Sequence, residues 1–335
     1  MILSNFRLII SASVAKVKRR CAILNNMEKI KKFYWSEFSG AEMENLVSIS
    51  KEKGWRFALE NIIKPRNHDI YDMFFDDSRA DWQFLLPLNK RSVVLDAGAG
   101  WGALSFSLSK TCGKVYALDA VPEKVEFMQI RAEQDGIDNI IAVKGDVLEL
   151  PFPSETFDLV VLNGVLEWAG MMDSTKSVIE LQNTLLKESL RVLKKDGYLY
   201  IGIENRFAAI YILGWEDPHV HLRFISLFPR VLADIYCKIL KGTTYRTHTH
   251  SLPGYRELLN KTGFSEVKFY SPFPSYRRFT HLIPLDNSSI LPYYIKNLVR
   301  AKTPSQKFFI KIISLFRLYN LIRFLVPDYS ILARK

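Results

Sequence analysis

Four short apolar runs, each ending on or just before a polar residue, constrain this chain more than any other feature. They are Ser92–Asp96, Lys114–Asp119, Ile140–Lys144 with Gly145-Asp146 behind it, and Phe157–Asn163. A short, near-continuous apolar run is what a strand needs when helices cover both faces of its sheet. Helix-like stretches lie between the runs: Ala103–Lys110, Pro122–Asp135 and about Ser174–Leu193. Pro122 suits a first turn, and Gly136 suits a helix end. Lys194-Lys195-Asp196-Gly197 closes the third stretch, and Tyr198–Glu204 reads as a fifth strand.

Strands alternating with helices specify an α/β fold, a Rossmann-like doubly wound sheet. After Glu204 the alternation stops. Residues 205–250, rich in aromatics and histidine, read as an inserted cap. A helix at Leu252–Thr262 and strands at Glu266–Tyr270 and Tyr276–Leu282 resume the sheet. The expectation is a seven-stranded, mostly parallel sheet within residues 91–284, carrying the insertion 205–250. Around it are expected a basic leader (1–26), a helical N-terminal cap (27–90) and a basic, amphipathic, helical C-terminal tail (285–335).

Ligands of such a sheet bind beyond the carboxyl ends of its strands. Asp96, Asp119, Asp146 and Asn163 all fall there. Between the first strand and its helix runs Asp96-Ala97-Gly98-Ala99-Gly100-Trp101-Gly102. Glycines let a backbone turn sharply and approach a ligand. Their spacing here is Gly-x-Gly-x-Gly, whereas a dinucleotide loop reads Gly-x-Gly-x-x-Gly. No Gly-Lys-Ser/Thr follows, which excludes a P-loop. Asp96 adds nothing for an anionic pyrophosphate but suits an ammonium group, such as the one at the amino-acid end of S-adenosyl-L-methionine. Asp119, one βα unit later, stands where a carboxylate takes both ribose hydroxyls. Asp146 can accept from an adenine amine, and the Val147 backbone can donate to the ring. Singly, Asp119 or Asp146 is equally a turn or capping acid; the four strand ends together favour a ligand.

Asp96–Gly102, Leu118-Asp119-Ala120, Gly145-Asp146-Val147, Phe157–Val161 and Leu186–Gly197 stand in one order between Val93 and Arg206. As a set they resemble the class I S-adenosylmethionine-dependent methyltransferases, of the type 11 kind. The resemblance covers about a third of the chain. It implies S-adenosyl-L-methionine as cofactor, held by Asp96, Ala97, Gly98, Gly100, Gly102, Asp119, Ala120, Asp146, Val147, Asn163 and Gly164. A narrower likeness, carried by Phe84–Leu88, Leu162–Trp168, Ile203–Arg206 and Phe269–Tyr276, points to microbial methyltransferases that accompany glycosyltransferases in surface-glycan assembly.

Methyl transfer is an in-line displacement, for which a protein supplies orientation and desolvation. A hydroxyl acceptor also needs a base. Four of the six histidines lie in the insertion, as His219-Val-His221 and His248-Thr-His250. In extended chain each pair presents two imidazoles to one face. His219, His248 and His250 are the candidate bases, beside the bland reading of surface or hydrogen-bonding histidines. No metal site is expected, because no acid stands at a recognisable ligand spacing from either pair. Arg206 is a candidate bidentate clamp for a phosphate or carboxylate, its alternative being an ion pair with Glu204. Trp82 and Trp168 are candidate pocket walls or core aromatics. Asn163-Gly-Val-Leu lacks the Asn/Asp-Pro-Pro-aromatic pattern of exocyclic base amine methylation. No Pro-Cys pair is present for attack on a pyrimidine ring.

Net charge is +11, but unevenly spread: +4 over residues 1–90, −6 over 91–204 and +13 over 205–335. The basic last third suits an anionic partner. Within it, residues 308–326 form an apolar stretch with polar residues at three-residue steps, and Lys311, Arg317 and Arg323 interrupt it too often for a membrane span. Packing on the domain and lying at an anionic membrane surface are the two readings. Three widely spaced cysteines, Cys21, Cys112 and Cys237, indicate no disulfide framework and a reducing compartment. The expectation is a cytoplasmic enzyme, at most peripheral at the inner membrane surface. It would methylate a hydroxyl of a sugar, glycan or lipid-linked acceptor, with or without a phosphate. The alternatives are an RNA methyltransferase and a non-catalytic cofactor-binding assembly module.

Overall fold

The computed structural model describes residues 38–287, 289–297, 311, 315 and 318–335. The expected leader (1–26) lies outside the described residues. So do residues 308–310, 312–314 and 316–317 of the expected amphipathic stretch.

The sheet begins as the apolar runs require. Strands β1 (Val93–Ala97), β2 (Lys114–Asp119), β3 (Ile140–Lys144), β4 (Phe157–Asn163) and β5 (Leu193–Glu204) pair in parallel in the order β3-β2-β1-β4-β5. Alternate residues feed opposite cores. Val94, Val115, Leu159 and Val161 pack on one face, while Leu95, Leu118, Val160 and Leu162 pack on the other. Both faces of β1 and β4 are buried, so these strands show no polar alternation in sequence. The helices Ala103–Ser109, Pro122–Gln134 and Val178–Val192 are the crossovers. Ser177 caps the last of these, its Oγ accepting from the Glu180 amide at 3.2 Å.

Beyond β5 the sheet departs from expectation. Among the described residues it has eight strands, in the order β3-β2-β1-β4-β5-β8-β6-β7. β6 (Ser265–Ser275) and β7 (Arg278–Pro284) form an antiparallel pair near the expected positions. The strand between β5 and β6 is β8 (Asp328–Arg334), antiparallel to both. The tail from 285 is therefore not uniformly helical. It holds the helices Ile290–Asn297 and Tyr319–Ile322 and then returns to the centre of the sheet. Tyr329 and Ile331 are fully buried there. The methyltransferase-like sheet consequently runs past the boundary expected at 284.

Of the expected N-terminal cap, the described residues 38–90 are mostly helical. Its helices Gly40–Lys53, Trp55–Ala58 and His68–Met73, with a π-helical turn (Leu59–Ile63), lean on the helix Pro122–Gln134, while the 3-10 turn Asp77–Leu85 packs on the helix Ala103–Ser109 and on β7. Leu46, Trp55, Leu59 and Phe74 of the cap share a core with Val121, Phe127 and Ile130. Trp82 is core, stacked on Tyr200 with ring centroids 3.7 Å apart. The insertion contributes the amphipathic helix Arg230–Lys241, which buries Ala233 and Cys237 and leaves Val231, Leu232, Ile235 and Ile239 exposed. Among the described residues, no helix is long and apolar enough to cross a membrane.

Candidate active site

The carboxyl ends of β1, β2 and β4, with the loop after β3, open into one cavity. Asp96, Gly98, Gly100, Asp119, Ala120, Asp146, Val147, Asn163 and Gly164 line it. Ala97 and Gly102 do not line it. Ala97 is buried inside β1, and Gly102 adopts a left-handed conformation (φ 82°) just before the helix Ala103–Ser109. Gly98 also has positive φ (80°), and a Cβ on it would lie 2.7 Å from Val165 Cγ2. Only glycine relieves both constraints there.

The loop's own hydrogen bonds decide what it can hold. The amides of Gly98 and Ala99 both donate to the Leu118 carbonyl, at 2.8 and 2.9 Å. Gly100 donates to Asp119 Oδ2 at 2.8 Å, and Gly102 to the Ala99 carbonyl at 2.9 Å. A phosphate cradle needs such amides free and pointing at the anion. Here they are already committed, and carboxylates line the same wall. Asp119 also accepts from the Val121 amide at 3.0 Å, yet each carboxylate oxygen keeps a second lone pair for a ligand. Asp96 is buried and accepts from Ser105 Oγ at 2.6 Å. Burial raises its pKa to about 6, opposed by the Ser105 bond and Arg79. Arg79, from the 3-10 turn Asp77–Leu85, is a buried cavity-lining cation whose Nε has no partner. Asn163 Oδ1 is likewise buried without a partner.

A polar cluster stands against the cavity wall at Gly164 and Trp168. Glu167, in the 3-10 turn Leu166–Met171 after β4, is buried with both carboxylate oxygens unpartnered. Glu204 ends β5; its Oε1 accepts from Tyr276 Oη at 3.0 Å and Arg277 at 3.4 Å, while its Oε2 has no hydrogen bond. His219 comes from the insertion, its ring 5.0 Å from that of Trp168. Its Nδ1 lies 3.2 Å from Asp217 Oδ1, and its Nε2 lies 3.8 Å from Glu204 Oε2 with no hydrogen bond. Asp217 accepts from the His219 amide and from Tyr245 Oη, so its direction is fixed by the chain around it. A Cβ on Gly164 would meet Tyr276 Oη at 3.1 Å and Glu167 Oε1 at 3.6 Å, which shows how closely cluster and cavity abut. Burial, then the charge of Glu204, pushes Glu167 up to about 8. Burial alone would lower His219, but Glu204, Asp217 and Glu167 outweigh it and hold it at about 9.

The other expected acceptor-side residues are engaged elsewhere; they do not line the cavity, and neither do Glu167, Glu204 and His219, which reach it only through Gly164 and Trp168. His250 Nε2 donates to Gln182 Oε1 at 2.8 Å, and His248 Nε2 to the Tyr245 carbonyl at 3.0 Å. His221 is exposed, with φ 54°. Arg206 spends its guanidinium on the carbonyls of Ser226 and Phe228, at 2.7 and 2.6 Å, which argues against the clamp and equally against a Glu204 ion pair. Trp168 is a cavity wall.

Residues 88–215 match the family model described as a methyltransferase domain. This stretch is similar to methyltransferase domains. Its cofactor is S-adenosyl-L-methionine. Among curated relatives, the ubiquinone biosynthesis O-methyltransferase of Methylocella silvestris is 32% identical over 148 residues, covering 42% of this chain and 54% of that protein. The demethylmenaquinone methyltransferase of Lactobacillus johnsonii is 25% identical over 239 residues, covering 68% and 80%. The chain thus spans about half the length of the first of these relatives. A solved S-adenosylmethionine-dependent methyltransferase from Archaeoglobus fulgidus aligns with a TM-score of 0.44 at 18% identity, over 77% of this chain and 92% of that one.

The residues of the matched stretch fit this cofactor chemically. Asp96 and Asp119 offer carboxylates to an ammonium and to hydroxyls, and the committed loop amides leave little for a phosphate. Arg79 was not expected from sequence. It sits in a charged, polar helix-like stretch (Asp76–Gln83) that looks like solvated surface. Glu167 and Glu204 were not expected as site residues either, although both lie inside the quoted stretches Leu162–Trp168 and Ile203–Arg206. Their signal was position, since Glu204 ends β5 and Glu167 follows the end of β4.

Proposed function

We propose that this chain is an S-adenosyl-L-methionine-dependent O-methyltransferase whose acceptor is a small-molecule hydroxyl. The observation that carries the reading is the buried Glu167–Glu204–His219 cluster abutting the cavity wall. When bound, S-adenosyl-L-methionine supplies an electrophilic methyl group on a sulfonium. Asp96, Asp119, Asp146 and Asn163 orient it along the strand ends. Phe38, Ile70, Met73 and Phe74 of the N-terminal cap exclude water from the same space. Within the cluster, Glu204 Oε2, which has no hydrogen bond, takes up the acceptor's proton as its oxygen becomes nucleophilic, since Glu167 and His219 are both held in their protonated forms near neutral pH. Both relatives named above carry a quinone in their names, and the ubiquinone relative's name specifies an oxygen acceptor, so a phenolic hydroxyl of a quinone-type ring is favoured over the sugar or glycan hydroxyl expected from sequence.

The test is calorimetric titration with S-adenosyl-L-methionine, followed by S-adenosylhomocysteine release with catechol-type, sugar and RNA acceptors. Release with the catechol type and a tenfold or greater loss of cofactor affinity in Asp96→Asn are expected. Wild-type affinity should also fall as pH drops below about 6, where Asp96 takes up its proton. Cofactor binding without product release from any acceptor or cell extract would instead make the chain a non-catalytic module. Turnover on RNA with steep salt dependence would favour the nucleic-acid reading.

A further inference from the structure

We propose that Glu167, Glu204 and His219 bind a divalent first-row metal cation, of the Mn2+ or Zn2+ kind, at the wall of the methyl-donor cavity. One donor atom from each of the three lies within 4.8 Å of the other two. The ligand set stands on its own geometry; only its catalytic meaning rests on the proposed O-methyl transfer.

The first argument is the unmet demand of these atoms. Both oxygens of Glu167, Glu204 Oε2 and His219 Nε2 are buried without a hydrogen-bond partner. Glu167 and Glu204 are 1% and 5% exposed, and the His219 side chain is 2% exposed. Buried polar atoms are almost always paired, and an unpaired buried carboxylate is among the costliest exceptions. A dication offsets two carboxylates and uses all three donors at once.

The second argument is the outer layer. A metal-bound histidine typically gives its other ring N–H to a carboxylate, which leaves the ligating nitrogen bare and aimed. Asp217 Oδ1 stands 3.2 Å from His219 Nδ1, and Asp217 is itself anchored by Tyr245 Oη at 3.0 Å. Tyr276 and Arg277 occupy Glu204 Oε1 and so turn Oε2 toward the group. One imidazole with two carboxylates is softer than the all-oxygen cages of Mg2+ or Ca2+ and harder than a thiolate site. Three protein donors also leave coordination positions open. An acceptor oxygen bound there would be polarised beside the methyl donor, which deepens the proposed function.

The test uses the full chain after chelation. Mn2+ is titrated and followed by its solution paramagnetic resonance signal, and Zn2+ is titrated by calorimetry. One cation per chain at micromolar concentration is expected. Glu167→Gln and His219→Gln should each weaken binding at least tenfold, and Asp217→Asn by about 10–100-fold. The proposal is overturned if the chelated wild type takes up neither cation, or if Glu167→Gln and His219→Gln bind them as the wild type does. The wild-type titrations keep the test decisive should a variant misfold. S-adenosylhomocysteine release is measured in parallel, with and without chelator. Release without any cation uptake would sink the metal and spare the methyl transfer; uptake without release would do the reverse.

Discussion

Gly202 offers a clean steric probe of the cofactor site. It lies opposite Asn163 across the β4–β5 pair, and its φ is not positive, so alanine brings no backbone strain. A Cβ there would stand 2.2 Å from Asn163 Oδ1 and 2.9 Å from Tyr276 Cδ2. The Asn163 carboxamide would have to move by about 1 Å, and overpacking of that kind costs about 1–3 kcal/mol. Asn163 lines the cavity. Gly202→Ala should therefore cost cofactor affinity as well as stability, by about 10–100-fold at 1.4 kcal/mol per decade. Asn163→Ala removes the carboxamide that the new methyl strikes. Added to that background, Gly202→Ala should cost much less, giving a coupling of about 1–2 kcal/mol. The assay is calorimetric titration of the four proteins with S-adenosyl-L-methionine, with urea unfolding in parallel. Equal losses on both backgrounds would refute the argument, because the clash with Oδ1 would then not be what Gly202 avoids.

Two further outcomes follow from the fold. Burial, then Arg230, depresses His248 to about 3 and His250 to about 4, both below the ordinary 6.5. A folded value below the unfolded one means that their stability contribution is complete above about 6.5 and is lost as pH falls toward 4. The urea midpoint should therefore drop between pH 6.5 and 4, and less steeply in the double variant His248→Gln/His250→Gln; an unchanged slope would show that other groups govern the acid response. Tyr329, fully buried in β8, packs edge-on against Phe269 at 5.6 Å. Tyr329→Ala should cost about 3–5 kcal/mol in urea unfolding, and a loss under about 1 kcal/mol would contradict the place of β8 in the sheet.

What could be read in the sequence was what is locally encoded. Strands β2, β3 and β4 fall on the residues expected, and β1 within one residue, because a strand dry on both faces writes itself as an apolar run. The strand-end acids were legible because those runs stop where the sheet meets its ligand. β8 was not legible. Asp328-Tyr-Ser-Ile-Leu-Ala-Arg334 follows a helix-like stretch, and its partners, residues 198–204, lie far back in the chain. The histidines were singled out by type and spacing, which could not separate His219 from His248 and His250.

The sequence by itself determined the parallel half of the sheet, the glycine loop and the strand-end residues that line the methyl-donor cavity, since all of these follow from local pattern, whereas Arg79 and the cap residues Phe38, Ile70, Met73 and Phe74 reach that cavity only through tertiary packing. Tertiary structure alone decided the rest. It inserted the C-terminal strand between β5 and β6, and it buried His248 and His250 among arginines. It also brought Glu167, Glu204 and His219 from three segments to within 4.8 Å. Such meetings depend on which surfaces are left to be buried once the local elements have formed, and no period in the chain records them.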